Sequence, residues 1–238
     1  MAEQKRTRVS RRLMALATGA VVVFVTGAAV FPAALASAKP LSQKSKTKLQ
    51  NLEMAVGRES KATFKITYAF KNNASKGSYV VEQRPPAQLL RTSPPSPDEM
   101  IYNGKKTYDC SLSGNPITCI VYPSASASPV RALMASFLDV SSYVSIMKGW
   151  QAVIGAKSAG FKVSFSTATF AGQPSECVKW SFGIQKARYC VTDKGILAYV
   201  GGSSGHGTSN AFWLTHYSSH ASSSDFSLPK GAKIAKLP

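Results

Sequence analysis

The cysteines constrain this chain more tightly than any other feature. There are four, Cys110, Cys119, Cys177 and Cys190, in two closely spaced couples. In a β-hairpin, facing residues are symmetric about the turn. The first couple is symmetric about Gly114-Asn115 and the second about Gly183-Ile184, both turn-forming pairs. Glycine in first place at Gly183 suits a type II′ turn. Counting outward by alternation, both couples fall on non-hydrogen-bonded sites, where the Cα atoms come within disulfide reach. Four cysteines allow three pairings, and this register favours Cys110–Cys119 and Cys177–Cys190, each clamping its own antiparallel hairpin. Pro116 has no amide hydrogen with which to close a tight loop, so the first loop is expected to be wider. The second hairpin puts Val178, Trp180 and Phe182 opposite Cys177 and Lys179, with Tyr189 and Val191 joining the apolar side.

The same alternation recurs along the chain. Phe64, Ile66, Tyr68 and Phe70 share one side of a strand, with Lys65 and Thr67 on the other. A return strand follows at Ser78 to Gln83, Arg84-Pro85-Pro86 interrupts it, and Gln88 to Thr92 resumes. Asn103-Gly104 signals a type I′ hairpin after Met100-Ile101-Tyr102. Phe161, Val163 and Phe165 point inward from a strand ending at Phe170. Further strands are expected at Ile196 to Val200 and Ala211 to Tyr217, with a short last one near Asp225 to Pro229.

Two stretches read as helix instead. Leu41 to Arg58 carries Leu49, Leu52 and Ala55 on one face, with Lys44, Lys46 and Lys48 toward water. From Pro129 to Gly160, Val130, Leu133, Phe137, Val144, Met147 and Ile154 recur at three-to-four spacing, and Asp139, Ser141 and Ser142 can cap a second helix. The predicted fold class is therefore α+β.

The first 38 residues stand apart. Lys5, Arg6, Arg8, Arg11 and Arg12 precede an uncharged run that ends in small residues, the layout of a secretory signal. Ala34-Leu35-Ala36 and Ala36-Ser37-Ala38 both fit a cleavage site, the second being preferred. The run is also long enough to stay as an uncleaved anchor. The expected organisation is 1–38 as signal or anchor and 39–238 as one domain. Taking five basic residues and Glu3 from totals of 29 and 11 leaves 24 against 10, a net +14. The lysines are scattered and no nucleic-acid module is present. For an exported chain, the expected partner is an anionic membrane or cell-wall surface, not nucleic acid.

Motifs for catalysis are weak. Gly201-Gly202-Ser203-Ser204-Gly205 matches G-x-S-x-G, but HGTSNAF after it is not helical and no histidine follows Asp225. His216 and His220 have i, i+4 spacing without a helix to align them. No carboxylate pair stands out for acid–base work. The reading is of no catalytic residue, no metal and no cofactor.

The order of elements resembles the LolA-like lipoprotein-carrier fold, including its exported actinobacterial lipid-carrying relatives. The residues that carry the likeness are Phe64, Ile66 and Tyr68, the segment Arg84-Pro85-Pro86 to Arg91, Tyr102-Asn103-Gly104-Lys105-Lys106, and Phe226-Ser227-Leu228-Pro229 with Gly231-Ala232. The resemblance implies a strongly curved antiparallel half-barrel with an N-terminal helix and a mid-chain helical lid. Arg84 or Arg91 corresponds to an arginine that holds the lid. No lipobox cysteine lies near the leader, a departure from the lipidated relatives.

A cavity under such a lid is expected to be lined by Phe64, Ile66, Tyr68, Phe165 and Trp180 from strands, and by Phe137, Val144, Met147 and Trp150 from helices. The expected function is an exported, non-enzymatic, monomeric carrier of an acyl lipid or lipidated protein. The alternative is an envelope module whose barrel is filled by its own side chains.

Overall fold

The computed structural model describes residues 43, 47, 48, 50, 51, 61–72, 75–93, 97–122, 161–203 and 209–235. Six strands lie before position 123: β1 (Phe64–Lys71), β2 (Lys76–Arg84), β3 (Ala87–Thr92), β4 (Asp98–Tyr102), β5 (Thr107–Ser111) and β6 (Thr118–Tyr122). Six follow position 160: β7 (Phe161–Phe170), β8 (Gln173–Phe182), β9 (Gln185–Thr192), β10 (Leu197–Ser203), β11 (Ser209–Ser218) and β12 (Lys233–Ala235). They form one open, curved sheet in the order β12-β6-β5-β4-β3-β2-β1-β11-β10-β9-β8-β7. All pairings are antiparallel except β12 with β6.

The α+β expectation is corrected. No helix of seven or more residues occurs among the described residues. Gln43, Thr47, Lys48, Gln50 and Asn51 are helical in backbone, and the Thr47 hydroxyl donates to the Gln43 carbonyl at 3.0 Å. The predicted helices at 129–160 and the expected signal or anchor at 1–38 lie outside the described residues. The physical reason is that the alternating segments hydrogen-bond into one continuous ladder, and curvature supplies cover that a helix layer was expected to give. Val163 and Phe165 of β7 pack against the same cluster as Ile66 and Tyr68 of β1 and Leu214 of β11, although β7 stands at the sheet edge.

Each hairpin follows its turn chemistry. Cys177 faces Cys190 and Cys110 faces Cys119, each pair disulfide-bonded with Cα atoms 4.0 Å apart. Gly183 takes φ +55°, as a glycine in first place must. The loop between Ser111 and Thr118 is wider than two residues, as Pro116 demands. Asn103-Gly104 differs from expectation: Tyr102 pairs with Thr107, so the loop has four residues. The Asn103 side chain accepts from the amides of Lys105 and Lys106 at 3.1 and 2.9 Å, a local closure that outcompetes the two-residue turn.

The C-terminal segment also differs. Where a last strand was expected near Asp225, Ser223–Phe226 forms a 3-10 turn, capped by Ser222 and Asp225. The strand comes later, as β12. Ala221 and Phe226 pack onto Leu89 and Ile101, so this segment straps the outer face of β3 and β4.

Candidate functional site

Strand alternation divides the sheet into two chemically different faces. The inner face gathers Phe64, Ile66 and Tyr68 of β1, Val81, Leu90 and Met100 of β2 to β4, Val178, Tyr189 and Val191 of β8 and β9, and Phe212 and Leu214 of β11. Apolar residues recur at every second position, so one surface runs unbroken across strands distant in sequence.

Each strand residue predicted to line a cavity sits on this face. Phe64, Ile66 and Tyr68 are completely buried, Trp180 is half-buried opposite Val163 and Ala187, and Phe165 is half-buried. Tyr68 is fixed at both ends: its hydroxyl donates to the Leu197 carbonyl at 2.8 Å, and its ring stacks on Phe212 with centroids 4.3 Å apart. Phe137, Val144, Met147 and Trp150 lie outside the described residues. Lys48, expected to face water, places its ammonium 6.0 Å from the centre of the Phe165 ring.

The arginines separate. Arg84 is exposed at the end of β2. Arg91 projects from the outer face and donates from Nε to Glu99 Oε2 at 2.7 Å, and that hydrogen bond raises its pKa. The segment they were expected to hold is among the residues not described.

Sequence reasoning missed two acidic clusters. On the inner face, Asp98 and Asp109 share the β4–β5 end. Burial, and then the charge of Asp98, push Asp109 up to about 6; burial raises Asp98 as well, against a hydrogen bond from Ser111. Burial and the charge of Asp109 raise Tyr122. The signal was present: Asp109 alternates with Thr107 and Ser111 on the side opposite Cys110.

On the outer face, Lys65 Nζ lies 2.8 Å from Glu82 Oε1 and 3.7 Å from Asp225 Oδ2. Burial raises the Glu82 pKa despite Lys65. Burial works upward on Asp225 too, but hydrogen bonds from Glu82 and the Ser222 amide, with the charge of Lys65, bring it below its ordinary value. Glu82 thus holds its proton more readily than Asp225. This cluster anchors the strap and is remote from the inner face.

The motifs set aside in sequence take ordinary places. Ser203 pairs with Lys186 and Ser209 inside the ladder, so it occupies a strand rather than a nucleophile turn; Ser204 and Gly205 are not described. His216 is in β11 opposite Thr67.

No protein-family model matches the sequence, and no curated protein matches it. Solved structures do. MucB matches with 13% identity over 81% of this chain and 65% of its own, at a TM-score of 0.50. The Pseudomonas aeruginosa MucA/MucB complex matches with 10% identity over 80% of this chain and 64% of that one, at 0.47. LprF from Mycobacterium bovis matches with 11% identity over 74% and 95%, at 0.38. The chain thus spans less than two thirds of the MucB chains it resembles. At such identity the likeness is one of fold alone.

Proposed function

We propose that this protein is an exported, non-enzymatic binding or carrier protein for an acyl lipid or a lipidated partner. One observation carries the reading: an open, curved sheet whose inner face carries a single apolar cluster reaching from β1–β4 to β8–β11. Burying an acyl chain of about sixteen carbons gains on the order of 12 kcal/mol at about 0.8 kcal/mol per methylene, so a carrier competing with a bilayer needs a dry, extended surface of this kind. The paired cysteines fit an oxidising, extracytoplasmic compartment. Residues 1–38 serve as the export signal or anchor in this proposal, 39–238 are the binding domain, and the protein acts as a monomer.

A second reading, an envelope interaction module with a filled interior, is favoured by a specific observation. Tyr68, Phe64 and Ile66 are wholly buried, and Tyr68 is pinned to Leu197 and Phe212. Native mass spectrometry of protein purified without detergent separates the two. The carrier reading expects a reproducible lipid-sized adduct that organic extraction removes. Repeated preparations free of lipid, which also fail to take up a fluorescent fatty acid, overturn it and leave the filled module.

A further inference from the structure

Register aligns a band of cations across seven strands on the outer face. In one lateral row Lys76 faces Lys71, Lys71 faces Ala211, Ala211 faces Gly201, Gly201 faces Arg188, Arg188 faces Lys179 and Lys179 faces Ser164. The next row toward the rim reads Ser203, Lys186, Ser181, Lys162. Neighbouring strands are about 4.8 Å apart, so Lys162 and Lys186 flank Ser181 at about 10 Å from each other. Lys71, Lys76, Lys162, Lys179 and Lys186 are exposed. The described carboxylates Glu82, Asp98, Glu99, Asp109, Glu176, Asp193 and Asp225 all lie outside these rows.

At the tip of this surface the β8–β9 turn presents Ile184, 58% exposed and one of two large apolar side chains so exposed among the described residues. A single exposed isoleucine is ordinary by itself. Here it projects from a turn set by Gly183, on a hairpin clamped by Cys177–Cys190, with lysines immediately behind it. A rigid apolar tip backed by cations matches a lipid–water interface: the tip enters the acyl boundary and the lysines meet the headgroups. A soluble polyanion complements the lysines but offers nothing to Ile184.

We propose that this rim docks on an anionic bilayer, with Ile184 inserting and Lys162, Lys179 and Lys186 resting on phosphate headgroups. The proposal deepens the anionic-surface partner expected from the sequence and does not depend on cargo in the interior.

The test uses the protein as the cell exports it and vesicles of phosphatidylcholine with or without phosphatidylglycerol. The readout is the ratio of the two partition coefficients, which cancels charge-independent attachment through the N-terminal segment. A basic residue near an anionic surface multiplies binding by about fivefold, so Lys162→Gln/Lys179→Gln/Lys186→Gln is expected to lower the ratio by about a hundredfold. The same charge change at the opposite rim, Lys105→Gln/Lys106→Gln/Lys194→Gln, is expected to leave it unchanged. Ile184→Ser, which alters no charge, is expected to weaken binding to anionic vesicles by about tenfold. Equal losses from the two triple variants overturn the proposal. So does an inert Ile184→Ser combined with equally lysine-dependent binding to soluble polyphosphate. Lipid content is measured in the same preparations: vesicle binding by a lipid-free protein supports the docking surface while removing the carrier reading, and a lipid-loaded protein indifferent to anionic vesicles does the opposite.

Discussion

Two carboxyl groups, half-buried Asp109 and fully buried Glu82, dominate the chemistry of single residues. Asp109 is raised from its ordinary 3.8 to about 6, chiefly by burial on the inner face. An acid raised in the folded state binds its proton more tightly there than in the unfolded chain, so stability falls as pH rises from about 4 through 6. The full linkage is at most about 3 kcal/mol at 1.36 kcal/mol per pKa unit, less whatever solvent screens. Asp109→Asn is expected to flatten this slope and to stabilise the protein by about 1–2 kcal/mol at pH 7, checked by urea melts at several pH values; a slope unchanged in the variant refutes the assignment. Glu82 works differently, because Lys65 and Asp225 surround it. Lys65→Met strands a buried carboxyl beside a second one. It is expected to cost about 1–2 kcal/mol at neutral pH and less in acid, where Glu82 takes up a proton, as thermal melts at pH 7 and 5 would show.

Among the elements, the disulfide hairpins and the strap carry the clearest consequences. Closing loops of this length restricts the unfolded chain by roughly 2.5–3 kcal/mol per bridge. Cys177→Ser with Cys190→Ser is expected to lose about that much in equilibrium denaturation, with the ladder from Ser175–Thr192 to Phe182–Gln185 retained. Arg188 adds to the same hairpin: its guanidinium lies 5.7 Å from the Phe170 ring and 5.5 Å from the Tyr199 ring, bracing β9 against its neighbours. The strap depends on Phe226, buried against Leu89 and Ile101. Phe226→Ala is expected to cost about 3–4 kcal/mol and to speed amide exchange in β12, whose pairing with β6 lies downstream of that anchor. Loss of stability without faster exchange in β12 would mean that strap and strand are held independently.

For the whole molecule, the question is how an open sheet of twelve strands protects its apolar face. Curvature brings β7 back over the cluster shared by β1 and β11, joining residues nearly a hundred positions apart. The two faces then have separate tasks in the proposed function, an apolar interior and a cationic exterior. Lipid analysis of the purified protein tests the first and vesicle partitioning the second.

What the sequence determined by itself was local. The cysteine register, the alternation of Phe64, Ile66 and Tyr68 and the turn at Gly183 follow from pleat geometry and backbone sterics within some fifteen residues, so they were legible before any tertiary contact. Tertiary structure alone decided the rest. The parallel return of β12 onto β6, the pairing of β1 with β11 and the gathering of Lys71, Lys76, Lys179 and Arg188 into one row all join segments whose spacing carries no periodic signal. The strands from Phe64 onward read as one layer of an α+β fold because helical periodicity is visible locally at 41–58 and 129–160. The energy of a single hydrogen-bonded ladder closing over its own apolar face is a property of the assembled sheet, and no window of sequence contains it.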